Sequence, residues 1–241
     1  DSHSLDTDKW QFSRKMSNSD AIYNNSETNT NVSEGSLNMK VHKAGNNKFS
    51  LSETLTTQGK MQFKYGYLEI RAKFPFSKGS WAALWMESDT SRATLEDHFG
   101  EIDIVEAYGQ KINTQLWKWP KVNGNSSNRL GLDNAPVFVL KDHPDFDENE
   151  WHVYGFEWTD EFLKFYVDGE KYGEVDIAKT NLSDVANEWY YIIFSNEIFT
   201  ESLDWHPEGE ILTYDDAMPE LKVDYIRLYQ DASSGEVIEI F

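Results

Sequence analysis

The chain has 241 residues, no cysteine, and 42 acidic against 22 basic side chains, for a net charge of −20. Disulfides and thiolate chemistry are therefore excluded, and stability has to come from a buried core. Long-range repulsion argues against nucleic acid and against a sulfated or uronate polymer as first-choice substrate, although Lys118, Lys121 and Arg129 make a local patch able to meet an anion.

Residues 1–35 are polar, with Trp10, Phe12, Ile22 and Tyr23 as apolar punctuation, and read as loops and an edge strand. From Ser36 onward short apolar runs recur between turn signals, at 37–42, 51–57, 61–75, 80–86, 101–106, 112–119, 136–140, 151–158, 162–168, 189–199 and 221–229. That spacing predicts an all-β sandwich. Within 65–75, Leu68, Ile70, Ala72 and Phe74 share one phase and Tyr67, Glu69, Arg71 and Lys73 the other, a strand with a buried and a polar face. Thr159-Asp160-Glu161 and Asp168-Gly169 are read as hairpin turns, and 182–187 as at most one helical turn. No repeat, linker or apolar run of about 18 residues interrupts the pattern, so one domain over 1–241 without membrane insertion is expected.

The chemistry is concentrated in Gly100-Glu-Ile-Asp-Ile-Val-Glu106, where Glu101, Asp103 and Glu106 crowd one apolar segment. Burying carboxylates so densely is costly unless they do chemistry, hold a metal or meet cations. The β-branched residues make the segment a strand, with Glu101 and Asp103 on one face. Strict alternation turns Glu106 into the core. A β-bulge around Ile104-Val105 restores the phase and returns Glu106 to the acidic face. Paired carboxylates on one cleft suit retaining glycosidic cleavage, in which one attacks while the other donates a proton, and Asp103 between them helps to split their pKa values. As a rival reading, the three carboxylates form a Ca²⁺ site.

Glu-Ile-Asp-Ile-Val-Glu resembles the bulged active-site signature of glycoside hydrolase family 16. Leu5 to Trp10, Tyr65 to Pro75, Gly79 to Met86, Trp151 to Trp158, Phe165 to Gly169 and Val223 to Tyr229 resemble, in order, other parts of that family. The resemblance implies a concanavalin-like jelly roll with a concave cleft, Glu101 as nucleophile, Glu106 as acid/base and Asp103 as the residue that tunes them. It also implies secretion or a cell-surface location, with the chain expected to be a mature form lacking its signal peptide. A monomer acting on a polysaccharide is expected, with no cofactor needed for catalysis. Asp224 with the Gly35 carbonyl resembles the surroundings of a structural Ca²⁺ in some family members.

Aromatic residues stack on sugar faces, and the chain has nine Trp, 12 Tyr and 14 Phe. Trp81 and Trp85 share one strand face, as do Trp117 and Trp119, and both pairs are expected to bind sugar. Glu197 and Asn196 are expected to contact sugar hydroxyls, and His98 and Arg71 to line the site. Asn113 to Trp119 and Phe194 to Phe199 depart from the laminarinase-like pattern, which has a His-containing strand and a Gly-rich stretch at these places. The expected substrate is a β-1,3- or mixed β-1,3/1,4-glucan, with endo-β-galactosidase activity on galactan or mucin-type glycans as the alternative. A non-catalytic lectin-like module is a third reading, against which the paired Glu101 and Glu106 speak, since binding alone gives no reason to hold them together.

Overall fold

Alternating apolar and polar side chains build two large antiparallel sheets in the computed structural model, which describes residues 4–16, 18–88, 97–121, 129–201, 211–230 and 237–239. The first sheet runs in the order β1 (Gln11–Phe12), β7 (Leu55–Thr56), β17 (Tyr190–Ile198), β9 (Ser80–Ser88), β10 (His98–Tyr108), β11 (Lys111–Pro120) and β12 (Leu130–Gly131), with β13 (Val137–Val139) also on β11. The second runs β16 (Glu170–Asp176), β15 (Phe162–Val167), β14 (His152–Trp158), β8 (Gly66–Lys73), β18 (Glu220–Tyr229), β4 (Ser36–Lys40) and β3 (Thr30–Ser33), with β19 (Val237–Glu239) on β18. A small third sheet joins β2 (Ala21–Tyr23), β6 (Lys48–Leu51) and β5 (His42–Gly45).

The two large sheets share one apolar core, to which β8 contributes Leu68, Ile70 and Ala72 and β10 contributes Ile102, Ile104 and Val105. This is the inner phase anticipated for 65–75, with Phe74 just beyond the strand also buried. Among the described residues no helix is long and apolar enough to cross a membrane. The single helical turn expected in 182–187 is the short 3-10 turn Val185–Asn187.

The turn at Asp168-Gly169 forms as expected, with φ of +50° and +82° matching the primed geometry that twists with its flanking strands. The hairpin between β5 and β6 falls in a gap between the predicted runs. Its turn is Asn46-Asn47, with φ of +50° and +55°, and the exposed polar strand β5 carries no apolar alternation to reveal it. The opening 35 residues hold three short strands, β1, β2 and β3, where one edge strand was expected.

The bulge in β10 is present. Against β9, Asp103 faces Trp85 while Val105 faces Leu84, and against β11, Asp103 faces Gln115 while Glu106 faces Asn113. Ile104 and Val105 therefore both enter the core, at 1% exposure each, and Glu106 regains the face of Glu101. Deleting Ile104 removes the extra residue, so Glu106 then lies four positions after Glu101 and regular alternation keeps it on the acidic face; the expected cost is that of losing one buried aliphatic side chain, roughly 2–5 kcal/mol. A thermal melt checks it: each kcal/mol lowers the melting temperature by roughly 2–4 °C in a domain of this size, and an unchanged melt would show that the extra residue is dispensable.

Candidate active site

The face of the first sheet turned away from the core carries a cleft of about 350 Å³. Register alone places its side chains in rows. Tyr191, Glu87, Glu101 and Trp117 lie side by side across β17, β9, β10 and β11; Ile193, Trp85, Asp103 and Gln115 make the next row; Ser195, Ala83, Glu106 and Asn113 the one after. The bulge reduces the five-residue separation of Glu101 and Glu106 in sequence to four positions along the neighbouring strand, from Glu87 to Ala83.

Tryptophan indoles hold two of the carboxylates. Trp81 Nε1 donates to Glu106 Oε1 at 2.9 Å, and Trp117 Nε1 donates to Asp103 Oδ2 at 3.0 Å. The buried Trp119 Nε1 lies against Glu101 and lowers its pKa. Asp103 is 4% exposed, whereas Glu101 and Glu106 keep an edge open to the cleft.

Burial dominates the ionisation of all three. It pushes Glu101 up to about 8, assisted by the charges of Glu87 and Glu106 and opposed by Arg14 and Trp119. Glu106 is pushed up to about 7, with the Trp81 indole opposing. Asp103 is raised well above the usual carboxylate range, by burial and then by Glu106 and Glu101, while Trp117 opposes. A site that retains a proton near neutral pH can both donate and, once ionised, attack.

Trp81, Trp117 and Trp119 line the cleft as expected. Trp81 stacks on Phe199 with ring centroids 4.8 Å apart, and Trp117 packs on Gly131, where a Cβ would come within 2.5 Å of the indole. Glu197 also lines the cleft; it is 3% exposed, accepts from Tyr23 Oη at 3.0 Å, and is pushed up to about 7 by burial.

Other candidates are corrected. Trp85 lines the floor but is only 6% exposed; Arg14 lies 4.9 Å over its ring, and its Nε1 donates to Ser195 Oγ at 3.2 Å. It is thus a capped floor residue and not an open sugar platform. Asn196 points the opposite way from Glu197 because strand neighbours alternate, and its Nδ2 donates to the Met39 carbonyl at 2.8 Å in the other sheet. His98 is out of phase with Glu101, and Phe99 lines the cleft instead. Arg71 sits on the second sheet, paired with Asp224 and 4.9 Å over Trp151, so it does not reach the cleft.

The carboxylate of Asp224 is thereby matched by a cation, and Gly35 is a turn residue at φ +78°. Among the described residues no group of three acidic, His or Cys side chains could hold a metal. Indole N–H groups aimed at Asp103 and Glu106 suit anionic or proton-sharing oxygens, not cation ligands. A structural Ca²⁺ at Asp224 would have to displace Arg71 from its carboxylate.

The cleft also holds Arg14, Met16, Glu87, Tyr108, Ser195 and Arg129. Glu87 and Tyr108 were legible in principle, since they continue the strand phases of Trp85 and Glu106. Arg14 and Met16 lie in the polar opening stretch, where no local pattern marks them. Of the expected basic patch, Lys118 pairs with Asp184, while Arg129 lies 4.5 Å over Trp117 and 5.1 Å over Trp119.

Fold and site define a two-sheet jelly-roll domain with an acidic, tryptophan-walled cleft. Residues 1–231 match the family model described as "Beta-porphyranase A-D, GH16 domain". The chain is 28% identical to glucan endo-1,3-beta-glucosidase A1 of Niallia circulans, over 94% of this chain and 36% of that protein. It is 30% identical to the beta-glucanase of Rhodothermus marinus, over 74% of this chain and 62% of that protein, so it spans less than two thirds of either relative. The solved laminarinase from Flavobacterium sp. UMI-01 superposes with a TM-score of 0.69 at 26% identity, covering 95% of this chain and 96% of that one. The chain belongs to glycoside hydrolase family 16.

Because folding raises Glu101 from an ordinary 4.5 to about 8, the native state binds this proton more tightly than the unfolded chain does. Stability contributed here therefore falls as pH rises through that window. Glu101→Gln removes the ionisation, so its melting temperature is expected to match wild type near pH 4.5 and to exceed it by several degrees near pH 8. Parallel melting curves across that range would expose a pH-independent difference, which would contradict the burial of this charge.

Proposed function

We propose that this domain is a retaining, endo-acting glycoside hydrolase that cleaves β-linked polysaccharide by double displacement. The observation that carries the reading is the bulge of β10, which brings Glu101 and Glu106 to one cleft face. A carboxylate of Glu101 attacks the anomeric carbon while Glu106 gives its proton to the departing glycosidic oxygen; that bond breaks and a glycosyl ester forms on Glu101. Glu106, now ionised, takes a proton from water, whose oxygen attacks the same carbon and frees Glu101. Two inversions leave the configuration retained. Asp103, held by Trp117, lies between the pair and tunes both, and Trp81 orients the donor.

The substrate we propose first is a β-1,3- or mixed-linkage β-glucan, supported by the glucanase names of both curated relatives. A galactan or an anionically substituted glycan is the second reading, favoured by the porphyranase description of the family model. Arg129 adds to it: this cleft residue has no ion pair among the described residues and opposes the repulsion expected from a net charge of −20. Secretion, a monomeric state and catalysis without a cofactor complete the proposal.

Reducing-end release from laminarin, mixed-linkage β-glucan, agarose and a mucin-type glycan, assayed in parallel, separates the two substrate readings; silence on all four would favour a binding module. Glu101→Gln is expected to fall below about one per cent of wild-type turnover on any cleaved substrate. Glu106→Gln is expected to lose the polysaccharide but to keep the first step on an aryl glycoside whose leaving group needs no proton. Retention of both activities in Glu101→Gln would overturn the assignment of nucleophile. Activity and melting temperature are expected to be unchanged by EDTA, and a drop in either would restore a metal to the account.

A further inference from the structure

Glu87 stands directly opposite Glu101 on one side and Tyr191 on the other. Directly opposed residues on neighbouring strands bring their Cβ atoms within about 4.5–5.5 Å, where like charges destabilise. Glu87 is nonetheless kept at 6% exposure in the cleft. Its Oε2 accepts hydrogen bonds from both the Arg14 guanidinium and the Tyr191 hydroxyl. Arg14 lies just after β1 at the sheet edge, so its side chain crosses the face of β7 and β17 to reach β9, lying over Trp85 on the way. An ion pair reaching that far, between partners that neither donate to nor accept from the bulged carboxylates, is costly as a mere packing device.

We propose that Arg14, Glu87 and Tyr191 form a positioning group for the nucleophile, in which Glu87 keeps the Glu101 carboxylate electron-rich while Arg14 and Tyr191 anchor Glu87 and set the pH at which Glu101 becomes able to attack. This rests on the assignment of Glu101 as nucleophile. The groups around Glu101 are Asp103 and Glu106 on its own strand, Glu87 on β9, Tyr191 on β17, Arg14 from the segment after β1, and the Trp117 and Trp119 indoles on β11 with Arg129 above them, while Tyr190 lies behind the sheet on its core face. Of these, Glu87 and Arg14 push in opposite directions, Glu87 raising and Arg14 lowering the pKa of Glu101. The tyrosines act through neutral hydroxyls: that of Tyr191 donates to Glu87 and that of Tyr190 to the Val185 carbonyl.

The test is the pH dependence of kcat/KM for wild type, Glu87→Gln, Arg14→Met and Tyr191→Phe on whichever polysaccharide the wild type cleaves, with a ¹³C NMR titration of the Glu101 carboxyl in the same proteins. The acidic limb reports ionisation of the nucleophile in the free enzyme. Glu87→Gln is expected to move the limb and the NMR midpoint to lower pH by about one unit, the size of effect a nearby charge produces. Arg14→Met is expected to move both upward. Tyr191→Phe, which keeps the ring, is expected to move them upward by less, and it carries the test if Arg14→Met does not fold. Midpoints that stay in place, or that all move the same way, would overturn the proposal and leave the group a structural brace. A wild type that cleaves nothing would sink the enzymatic reading alone, because the NMR midpoints still decide the coupling.

Discussion

The whole site depends on one backbone irregularity. A β-strand turns successive side chains to opposite faces, so Glu101 and Glu106, five positions apart, belong on opposite sides of any regular strand. The extra residue in β10 lets Ile104 and Val105 enter the core in succession, and every later side chain of the strand is shifted by one. The core tolerates this because both residues are β-branched aliphatics that fill the space between the sheets. The penalty falls on the ladder, whose register breaks against β9 and β11 together, and the result is a third carboxylate on a face that already holds two.

Crowding acids onto one face raises the question of what keeps them there. Indole N–H groups supply much of the answer: Trp81 for Glu106 and Trp117 for Asp103. A donor of this kind satisfies an oxygen without contributing a full positive charge, so the carboxylates keep their protons to higher pH than they would beside a lysine. Arg14, the cation that acts on Glu101 among the described residues, is engaged by Glu87. Charge is therefore balanced beside the Glu101–Glu106 pair and left unbalanced within it. The other arginine of the cleft, Arg129, lies over the tryptophans of β11 and is available to whatever binds along them.

Aromatic and polar residues of the cleft divide according to strand phase. Glu197 faces the cleft and Asn196, one residue earlier, donates across the core to Met39 and Pro219. Phe99 faces the cleft and His98 does not. Arg71 and Asp224 neutralise each other on the second sheet. Trp85 has the right phase but is covered, because a segment distant in sequence lays an arginine across it.

Local spacing alone determined a good deal here. The alternation in 65–75, the primed turn at Asp168-Gly169 and the out-of-step Glu106 each compel a particular backbone, so the sandwich, the bulge and the acidic face could be read before any contact was known. Their order along the chain carried the family resemblance as well. What only the tertiary structure decided is which side chains meet across strands that are far apart in sequence. Arg14 and Glu87 are 73 residues apart and Tyr191 and Glu87 are 104 apart, and no periodicity within a strand records its neighbour in the sheet. Sheet order is settled by how two apolar faces close over one core, and that closure, not any local pattern, placed a cation and a fourth carboxylate beside Glu101.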